Sequence, residues 1–351
     1  MSITIEIPPG ECIDPYLREF REPGTTFVLG VGEYTTRGCF DFPEHDLCML
    51  ASECLIVGAG SGATTLDGTD PVLKYGVNPT GYTEILTGGA RTEGSSMGLV
   101  VRGLSIVAST KIPSVGVHLW TTQSIVEDVA LYGIFGDRNA SGPVKEGFGI
   151  LLNNSYDTPG ADGGHRVLNC RVQLAYSDEE NYATAIFVGC VSRGPLLRSY
   201  VDDCCVLAKD AHAGYAFNDR TTIKDCEVVG CRRAVFVDTG PIRDSHINGL
   251  DASRVAWALD LRGVGERRGI TVSDSTFDFR ALDGWAQGIL VSDDESGAAA
   301  SGIHVAGCTF LAPAVGRASK ARLRGKRVGD FTESGNLWVG GWEAPVIQNR
   351  V

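Results

Sequence analysis

The sequence predicts an all-β fold in which short strands wind into a parallel solenoid, and three observations support this. A short motif recurs from about Val101 to Phe310, apolar and polar residues alternate inside it, and none of its copies has a helical period. Glycine accounts for 45 of 351 residues, about 13% against roughly 7% in average proteins, as expected for many tight turns. Three short strands per turn of about 22 residues describe a parallel β-solenoid.

The repeat unit is a β-type segment, then Asp, Asn or Gly, then a small residue or Cys, and then a second β-type segment. The chain contains eight copies, whose Asp, Asn or Gly positions are Gly103, Asp128, Asn169, Asp203, Asp225, Asp244, Asp274 and Gly307. A third alternating segment precedes most copies, as in residues 150–153 and 259–262. The spacing between copies varies, so the longer intervals must contain loops.

With these repeats the chain resembles the pectate-lyase-like right-handed parallel β-helix superfamily over nearly its whole length. The resemblance implies a single right-handed parallel β-helix, with a short N-terminal capping helix at residues 14–20 and first coils near residues 23–34 and 55–68. It also implies that the third segment is the first strand of each coil and that the Asp, Asn or Gly lies in the turn between the second and third strands. The expected organisation is a cap with the first strands at 1–50, the β-helix at 51–340 and a C-terminal tail at 341–351.

Charge and hydropathy exclude several classes of protein. The net charge of −12 argues against a general nucleic-acid surface, because binding phosphates needs a field of Lys and Arg. No run of about 18 apolar residues is present, so we expect no membrane partner. The first residues lack a basic segment followed by an apolar one, which predicts a cytoplasmic location, or a virion if the protein comes from a phage.

Two motifs have plain structural interpretations. Residues 58–63 match a glycine-rich dinucleotide fingerprint, but Thr64-Thr65-Leu66 follows in place of an amphipathic helix, which argues against a nucleotide site. The repeated Asp and Asn residues could form a carboxylate cluster. Turn formation explains them better, because short polar side chains tolerate tight turns and bond to nearby backbone.

Four of the eleven cysteines occupy the same position of the repeat, directly after the predicted turn. Alternation turns that position into the core, where Cys behaves as a small apolar residue, so we predict an interior stack. These four residues are Cys170, Cys204, Cys226 and Cys308. The N-terminal cysteines lack the spacing of a zinc site. We expect no cofactor, although the sequence leaves open a calcium ion beside the aspartates of the outer face.

Alternation also places two outward residues on each first strand, and stacked coils turn them into two columns. The first column is His118, Leu151, Phe187, Ala216, Phe236, Asp260, Leu290 and Arg322. The second is Trp120, Asn153, Gly189, Asn218, Asp238, Arg262, Ser292 and Arg324. With neighbouring strands about 4.8 Å apart, such a face would be about 34 Å long, which suits an extended saccharide or other extended ligand. Six basic residues within 316–327 fit either a solvated last coil or an anion-binding end of this face.

Polar residues cluster in the middle of the face, where we predict chemistry. Asp238 and Asp260 would lie about 8 Å apart, within the ~6.5–9.5 Å that leaves room for water in inverting glycoside hydrolysis. Arg262 beside Asp238 would favour a base or a structural ion pair over an acid. The predicted loop before the strand of Asn218 adds His212, and the segment just past that strand adds Asp219, as candidate catalytic groups. The predicted substrate-binding residues are His118, Trp120, Asn153, Phe187, Asn218, Phe236 and Arg324.

The chain departs from the known enzymes of the superfamily. It lacks the Asp-Pro-His-Asp stretch of alginate epimerases, the Trp-x-Asp-His of pectate lyases and the Gly-His-Gly and Arg-Ile-Lys motifs of polygalacturonases, of which Asn218-Asp219 is a fragment. The leading hypothesis is a carbohydrate-active hydrolase, lyase or epimerase. The alternatives are an isomerase or cyclase of specialised metabolism and a non-catalytic glycan-binding solenoid of the phage-tail type.

Overall fold

The computed structural model describes most of the chain. The described residues are 3–38, 50–51, 53–70, 83–89, 98–137, 146–153, 162–176, 181–189, 196–237, 242–262, 266–292, 299–325 and 327–349. The chain divides into two compact units, Met1–Leu197 and Arg198–Val351. Within the described ranges no helix has both the length and the apolar character needed to cross a membrane.

The first unit contains one short helix and a series of strands. These are β1 (Thr4–Ile7), α1 (Asp14–Glu19), β2 (Thr26–Leu29), β3 (Gly32–Thr35), β4 (Leu55–Val57), β5 (Thr64–Gly68), β6 (Thr83–Gly89), β7 (Val100–Ala108), β8 (Ser114–Trp120), β9 (Ile125–Ile134), β10 (Gly147–Asn153), β11 (Asp162–Gly163), β12 (Arg166–Leu168), β13 (Arg171–Leu174), β14 (Asn181–Gly189) and β15 (Leu196–Leu197). The helix begins with Pro15 in its first turn, and the buried carboxylate of Asp14 accepts hydrogen bonds from Thr36 Oγ1 at 2.5 Å and from the amide of Arg37 at 2.8 Å. The predicted N-terminal helix is therefore confirmed.

The second unit consists of strands in its described part. These are β16 (Ser199–Asp202), β17 (Cys205–Phe217), β18 (Thr221–Lys224), β19 (Glu227–Phe236), β20 (Ile242–Asn248), β21 (Asp251–Ser253), β22 (Trp257–Arg262), β23 (Arg267–Ser273), β24 (Thr276–Asp278), β25 (Asp283–Ser292), β26 (Ala299–Ala306), β27 (Thr309–Leu311), β28 (Val315–Gly325), β29 (Arg327–Val328), β30 (Phe331–Ser334), β31 (Leu337–Val339), β32 (Trp342–Glu343) and β33 (Val346–Asn349).

Strands pair in parallel with the equivalent strand of the next coil. In the first unit β8 pairs with β10 and β10 with β14. In the second unit first strands run from β19 to β22, β25 and β28, second strands from β16 to β18, β20 and β23, and third strands from β21 to β24 and β27. The predicted parallel β-helix is confirmed, and inward residues such as Val235, Leu259 and Ile289 form its core.

The residue between the second and third strands of a coil has a left-handed backbone conformation at seven of the eight predicted turn positions. The prediction is wrong for Asp244, which is also left-handed but lies inside β20, and Gly249 (φ 66°) makes the turn between β20 and β21. The φ of these turn residues lies between 48° at Asp225 and 69° at Gly103. The steric cost of this conformation is lowest for Gly. Asn and Asp also adopt it, because their short side chains bond to local backbone. Except at Asp244, the turn interpretation of the repeated Asp residues therefore agrees with the structure.

The residue that follows this turn points inward and is buried. Cys170, Cys204, Cys226 and Cys308 are each 1–2% exposed, in agreement with the predicted interior position. Each thiol donates to the carbonyl oxygen two residues earlier, as in Cys226 Sγ to Lys224 O at 3.1 Å. Ser245 and Ser275 make the same bond with a hydroxyl. Burial raises the pKa of the Cys308 thiol, which keeps it in the protonated, donating form.

Each first strand begins with a bend that interrupts the alternation of faces. At the bend of the first strands from β8 to β25 lies a small residue, such as Gly116, Gly149 or Gly214, and a Cβ on these glycines would meet core side chains at 2.1–2.7 Å. In β6 and β28 the equivalent residues are Ile85 and Lys320. The small residue and the one after it, such as Gly116 and Val117, therefore both face inward. As a consequence, the residue before the small one faces outward.

The solenoid also extends into the segment assigned to the C-terminal tail. β32 and β33 lie within residues 341–351, and both pair in parallel with β28. Trp342 contacts the rings of Phe310 and Trp338, with centroids 6.1 and 4.9 Å away. Aromatic packing therefore continues past residue 340, which the sequence alone did not indicate.

The left-handed turns give a first testable prediction. Replacing Asp225 by Val places a β-branched residue at a φ of 48°, which should destabilise the protein by about 1–2 kcal/mol. Chemical unfolding measures this change. Lys224→Val is a matched control, because it removes the same exposed Lys224–Asp225 ion pair (3.0 Å) in a strand where Val is favourable. Equal losses of stability in the two variants would contradict the turn argument.

Candidate functional site

The first strands of the second unit carry the outward column that alternation predicted. Ala216 pairs with Phe236, Phe236 with Asp260, Asp260 with Leu290, and Leu290 with Arg322. Five rungs at about 4.8 Å give a surface of about 19 Å in this unit. We call the outward surface of these five strands the first-strand face.

Asp260 is the centre of an ion-pair network on this face. Its side chain is fully buried, yet both carboxylate oxygens accept charge-assisted hydrogen bonds. Arg233 Nε donates to Oδ2 at 2.6 Å, and Arg262 donates from Nε to Oδ1 at 2.6 Å and from Nη2 to Oδ2 at 2.7 Å. A carboxylate held by two guanidiniums has little freedom to move a proton, so the structure favours the ion-pair interpretation of Asp260. Arg262, expected beside Asp238, is bidentate to Asp260.

Arg233 lies at the junction of this network with an aromatic cluster. Its guanidinium carbon is 4.8 Å from the ring centroid of Phe236 and 5.0 Å from that of Trp257, within cation–π distance. Trp257 in turn makes an edge contact with Trp285 at 5.9 Å. The face therefore presents aromatic surface directly beside fixed positive charge.

His212 belongs to the same cluster and lies within β17, in contrast to the predicted loop position. Its Nδ1 faces Arg233 Nη1 at 3.2 Å, and its ring meets Phe236 edge-on at 4.7 Å. Because a guanidinium only donates, Nδ1 must accept, which places the ring proton on Nε2. In this state His212 orients Arg233 and is poorly suited to be a general base.

The sequence analysis missed Arg233. Strict alternation puts it on the same face as the core residue Val235, two positions later, and therefore predicts that it points inward. The structure turns it outward through the bend at Ala234, a fully buried small residue. A column of Gly or Ala directly before the core residue of each first strand from β8 to β25 was the sequence signal for this bend.

Asp219 forms a second ion pair, with Arg243. Arg243 Nε donates to Asp219 Oδ2 at 2.8 Å, and Nη2 makes a further short bond to the same oxygen. This hydrogen bond raises the pKa of the Arg243 guanidinium. Asp219 and its neighbour Asn218 are both 1% exposed, and the backbone carbonyl of Asn218 accepts from Ser245 Oγ at 3.5 Å. The structure therefore places both predicted residues in a buried, arginine-paired turn.

The first unit contains a separate polar cluster around His118. Its Nδ1 lies 2.6 Å from Glu84 Oε1, its Nε2 lies 3.0 Å from Asn153 Oδ1, and its ring is 4.4 Å from that of Trp120. The structure thus brings together three residues predicted to bind substrate, although His118 is fully buried. Glu84 was missed because β6 precedes the recognisable repeats.

Phe187 lies in an apolar cluster of the same unit. Its ring contacts Phe148 edge-on at 6.0 Å, and both pack with Val115 and Leu151. Apolar packing among these described residues accounts for the position of Phe187.

Two predicted site positions are only partly open to description. Asp238 lies outside the described residues, and of Arg324 only the backbone pairing with Ser292 and Gln348 is described. In the part of the chain that the structure describes, no group of three or more His, Cys, Asp or Glu side chains is arranged to hold a metal ion.

Comparison with known proteins finds solved structures that share the fold. No protein-family model and no curated protein matches the chain. A polygalacturonase from Erwinia carotovora ssp. carotovora superposes with a TM-score of 0.62 at 10% identity, over 99% of this chain and 96% of that one. An endo-xylogalacturonan hydrolase from Aspergillus tubingensis gives 0.57 at 13% identity, over 97% and 95%. A hyperthermoactive exopolygalacturonase from Thermotoga maritima gives 0.51 at 9% identity, over 96% and 84%.

At these identities the likeness concerns the fold. The resemblance to the pectate-lyase-like superfamily is thereby confirmed at that level: the chain has the parallel β-helix fold of these enzymes.

Proposed function

We propose that the protein is a carbohydrate-active enzyme that binds an acidic saccharide on the first-strand face of its second unit. The observation that carries the proposal is the network of Arg233, Asp260 and Arg262 beside the rings of Phe236 and Trp257. Recognition of an acidic saccharide can use both elements, since ring faces stack on aromatic side chains and sugar carboxylates pair with guanidiniums.

Exposure distinguishes the roles of the two arginines. The side chain of Arg233 is 12% exposed and that of Arg262 is 37% exposed. Arg262 can therefore meet a ligand directly, while Asp260 holds both guanidiniums in position. Arg322 extends the positive charge along the face, two rungs beyond Asp260. This distribution of charge favours a saccharide that carries carboxylates over a neutral one.

In this proposal Asp260 is a positioning residue. Removing its charge leaves two guanidiniums without their partner, and breaking a buried ion pair in this way typically costs about 3–5 kcal/mol. The catalytic acid or base is then a different group. Asp219 is a candidate, because its Oδ1 is buried and lacks a hydrogen-bond partner among the described residues. Asp238 stays a candidate from the sequence.

The second prediction concerns turnover of polysaccharides. We expect the wild-type protein to release reducing ends or unsaturated products from an acidic polysaccharide and to act poorly on neutral ones. Arg262→Gln should raise KM at least ~10-fold by removing a charge-assisted contact, with a smaller effect on kcat. Asp260→Asn should lower both activity and stability.

The matched control is Asp278→Asn, which also removes a carboxylate from an arginine pair, at 2.8 Å from Arg280, but on the third strand of its coil. It should leave KM unchanged. The absence of both binding and turnover on every saccharide would overturn the proposal. Binding without either product would exclude a hydrolase or lyase acting on these polysaccharides and leave an epimerase or the non-catalytic glycan-binding solenoid.

A second candidate function, an isomerase or cyclase that moves a proton, is favoured by the Glu84–His118 pair. A carboxylate behind an imidazole fixes the ring tautomer and stabilises the ring when it takes up a second proton, as a general base requires. Asn153 covers Nε2 in this structure, so a substrate would have to replace the amide at that nitrogen.

The third prediction separates this function from the first. In D2O, a proton-transfer enzyme should introduce deuterium next to the carboxyl or carbonyl group of its substrate, which NMR detects in a panel of uronates and small carbonyl compounds. His118→Gln should abolish the exchange, and Glu84→Gln should slow it by at least ~10-fold. His304→Gln, a change in the exposed His304–Thr332 pair, is the control. Exchange that persists in His118→Gln would contradict this role.

A further inference from the structure

Two register partners on the first-strand face each carry a buried polar atom that has no hydrogen-bond partner among the described residues. Trp257 in β22 and Gln287 in β25 are register partners, so their backbones are about 4.8 Å apart. Arg233 precedes them and Ser319 follows them in the same outward column, directly before the residue at the bend. The pair is thus continuous with the network around Asp260.

The orientation of the Gln287 amide is fixed by its surroundings. The side chain is fully buried, and Nε2 donates to the carbonyl oxygens of Ile289 at 3.0 Å and Ser319 at 3.1 Å. Both partners are acceptors, so the nitrogen must occupy this side of the amide. Oε1 therefore points the other way, and it has no hydrogen-bond partner among the described residues.

Trp257 supplies the complementary atom. Its indole Nε1 is buried and also lacks a partner in the described part of the chain. A buried donor and a buried acceptor on adjacent rungs each carry an uncompensated desolvation cost. A hydroxyl is the small group that satisfies both together, because its oxygen accepts from the indole N–H while its hydrogen is donated to the amide oxygen.

The surroundings of the pair favour a hydroxyl that belongs to a ring. Trp285, 39% exposed, meets Trp257 edge-on at 5.9 Å and offers a flat apolar surface. The guanidinium carbon of Arg233 lies 5.0 Å from the ring centroid of Trp257. Aromatic surface, a cation and a donor–acceptor pair within two rungs match the mixed apolar and polar character of a sugar ring.

We propose that Trp257 Nε1 and Gln287 Oε1 form a hydroxyl-binding subsite for one ring of a saccharide, with Trp285 as its stacking surface. This inference rests on the proposed function, and it adds a specificity element to it. A sugar that lacks the hydroxyl leaves both buried atoms unsatisfied, so the subsite selects by hydroxyl position as well as by charge.

The fourth prediction tests the subsite with tetragalacturonate as the acidic probe and cellotetraose as the neutral one. Trp257→Phe keeps an aromatic ring in place but removes the N–H, and it should raise the calorimetric Kd of tetragalacturonate about 10-fold. In the wild type labelled with 15N-tryptophan, the indole signal missing from Trp257→Phe should shift when the saccharide is added. Because this NMR titration is made on the wild type, its result does not depend on how stable a variant is.

The control is Trp342→Phe, because the indole of Trp342 already donates to the carbonyl of Val339 at 3.1 Å. Its Kd should equal that of the wild type. Wild-type binding with an unshifted Trp257 signal and an unchanged Kd in Trp257→Phe would overturn the subsite while leaving the proposed function intact. If the Trp257 signal and the Kd are unchanged but Trp257→Phe is less stable to heat than the wild type, Trp257 Nε1 and Gln287 Oε1 hold only a structural water. Failure of the wild type to bind either probe would overturn the subsite for the rings of these two saccharides. The proposed function would be overturned only by the same failure on every saccharide.

Discussion

A single residue with positive φ turns each coil from its second strand into its third, and the alignment of every outward column depends on it. At eight such turns, with Gly249 in the place predicted for Asp244, φ stays within 48–69°, so successive coils follow the same path and their strands stack in register. The sequence places its repeated Asp and Asn residues at these turns, where local backbone geometry selects them. The residues available for chemistry are the outward residues of the first strands, which the turn aligns without selecting their identity.

Alignment is what brings distant residues together. Arg233 and Asp260 are separated by 27 residues in the chain and are joined by a 2.6 Å hydrogen bond on neighbouring strands. A buried carboxylate between two arginines contributes little net stability, because the cost of desolvating three charges offsets their attraction. Its value is geometric: the network fixes two guanidiniums at a defined place beside the rings of Phe236 and Trp257. Preorganised groups of this kind lose less freedom when a ligand binds.

The sequence predicts the fold well because the repeat is a local pattern copied many times. Alternation also predicts which first-strand residues share a column, as the pairing of Phe236, Asp260 and Leu290 shows. The site was predicted less completely, since side-chain partners depend on details that alternation does not carry. The bend at Ala234 reverses the face of Arg233, and Arg262 reaches Asp260 in its own strand. Glu84 lies in a segment without a recognisable repeat, so its contact with His118 had no sequence signal.

The bend has a consequence for how such a surface can vary. The residue before the bend faces outward, on the opposite side of the strand from core residues such as Val235 and Leu259, even where it is fully buried, as at Gln287. Along the second unit these positions hold Ala213, Arg233, Trp257, Gln287 and Ser319, a series that runs from methyl to guanidinium to indole. They amount to an interchangeable set of side chains on a constant scaffold. New ligand preferences could arise, in evolution or by grafting, through exchanges at these sites alone, with the solenoid interior left as it is.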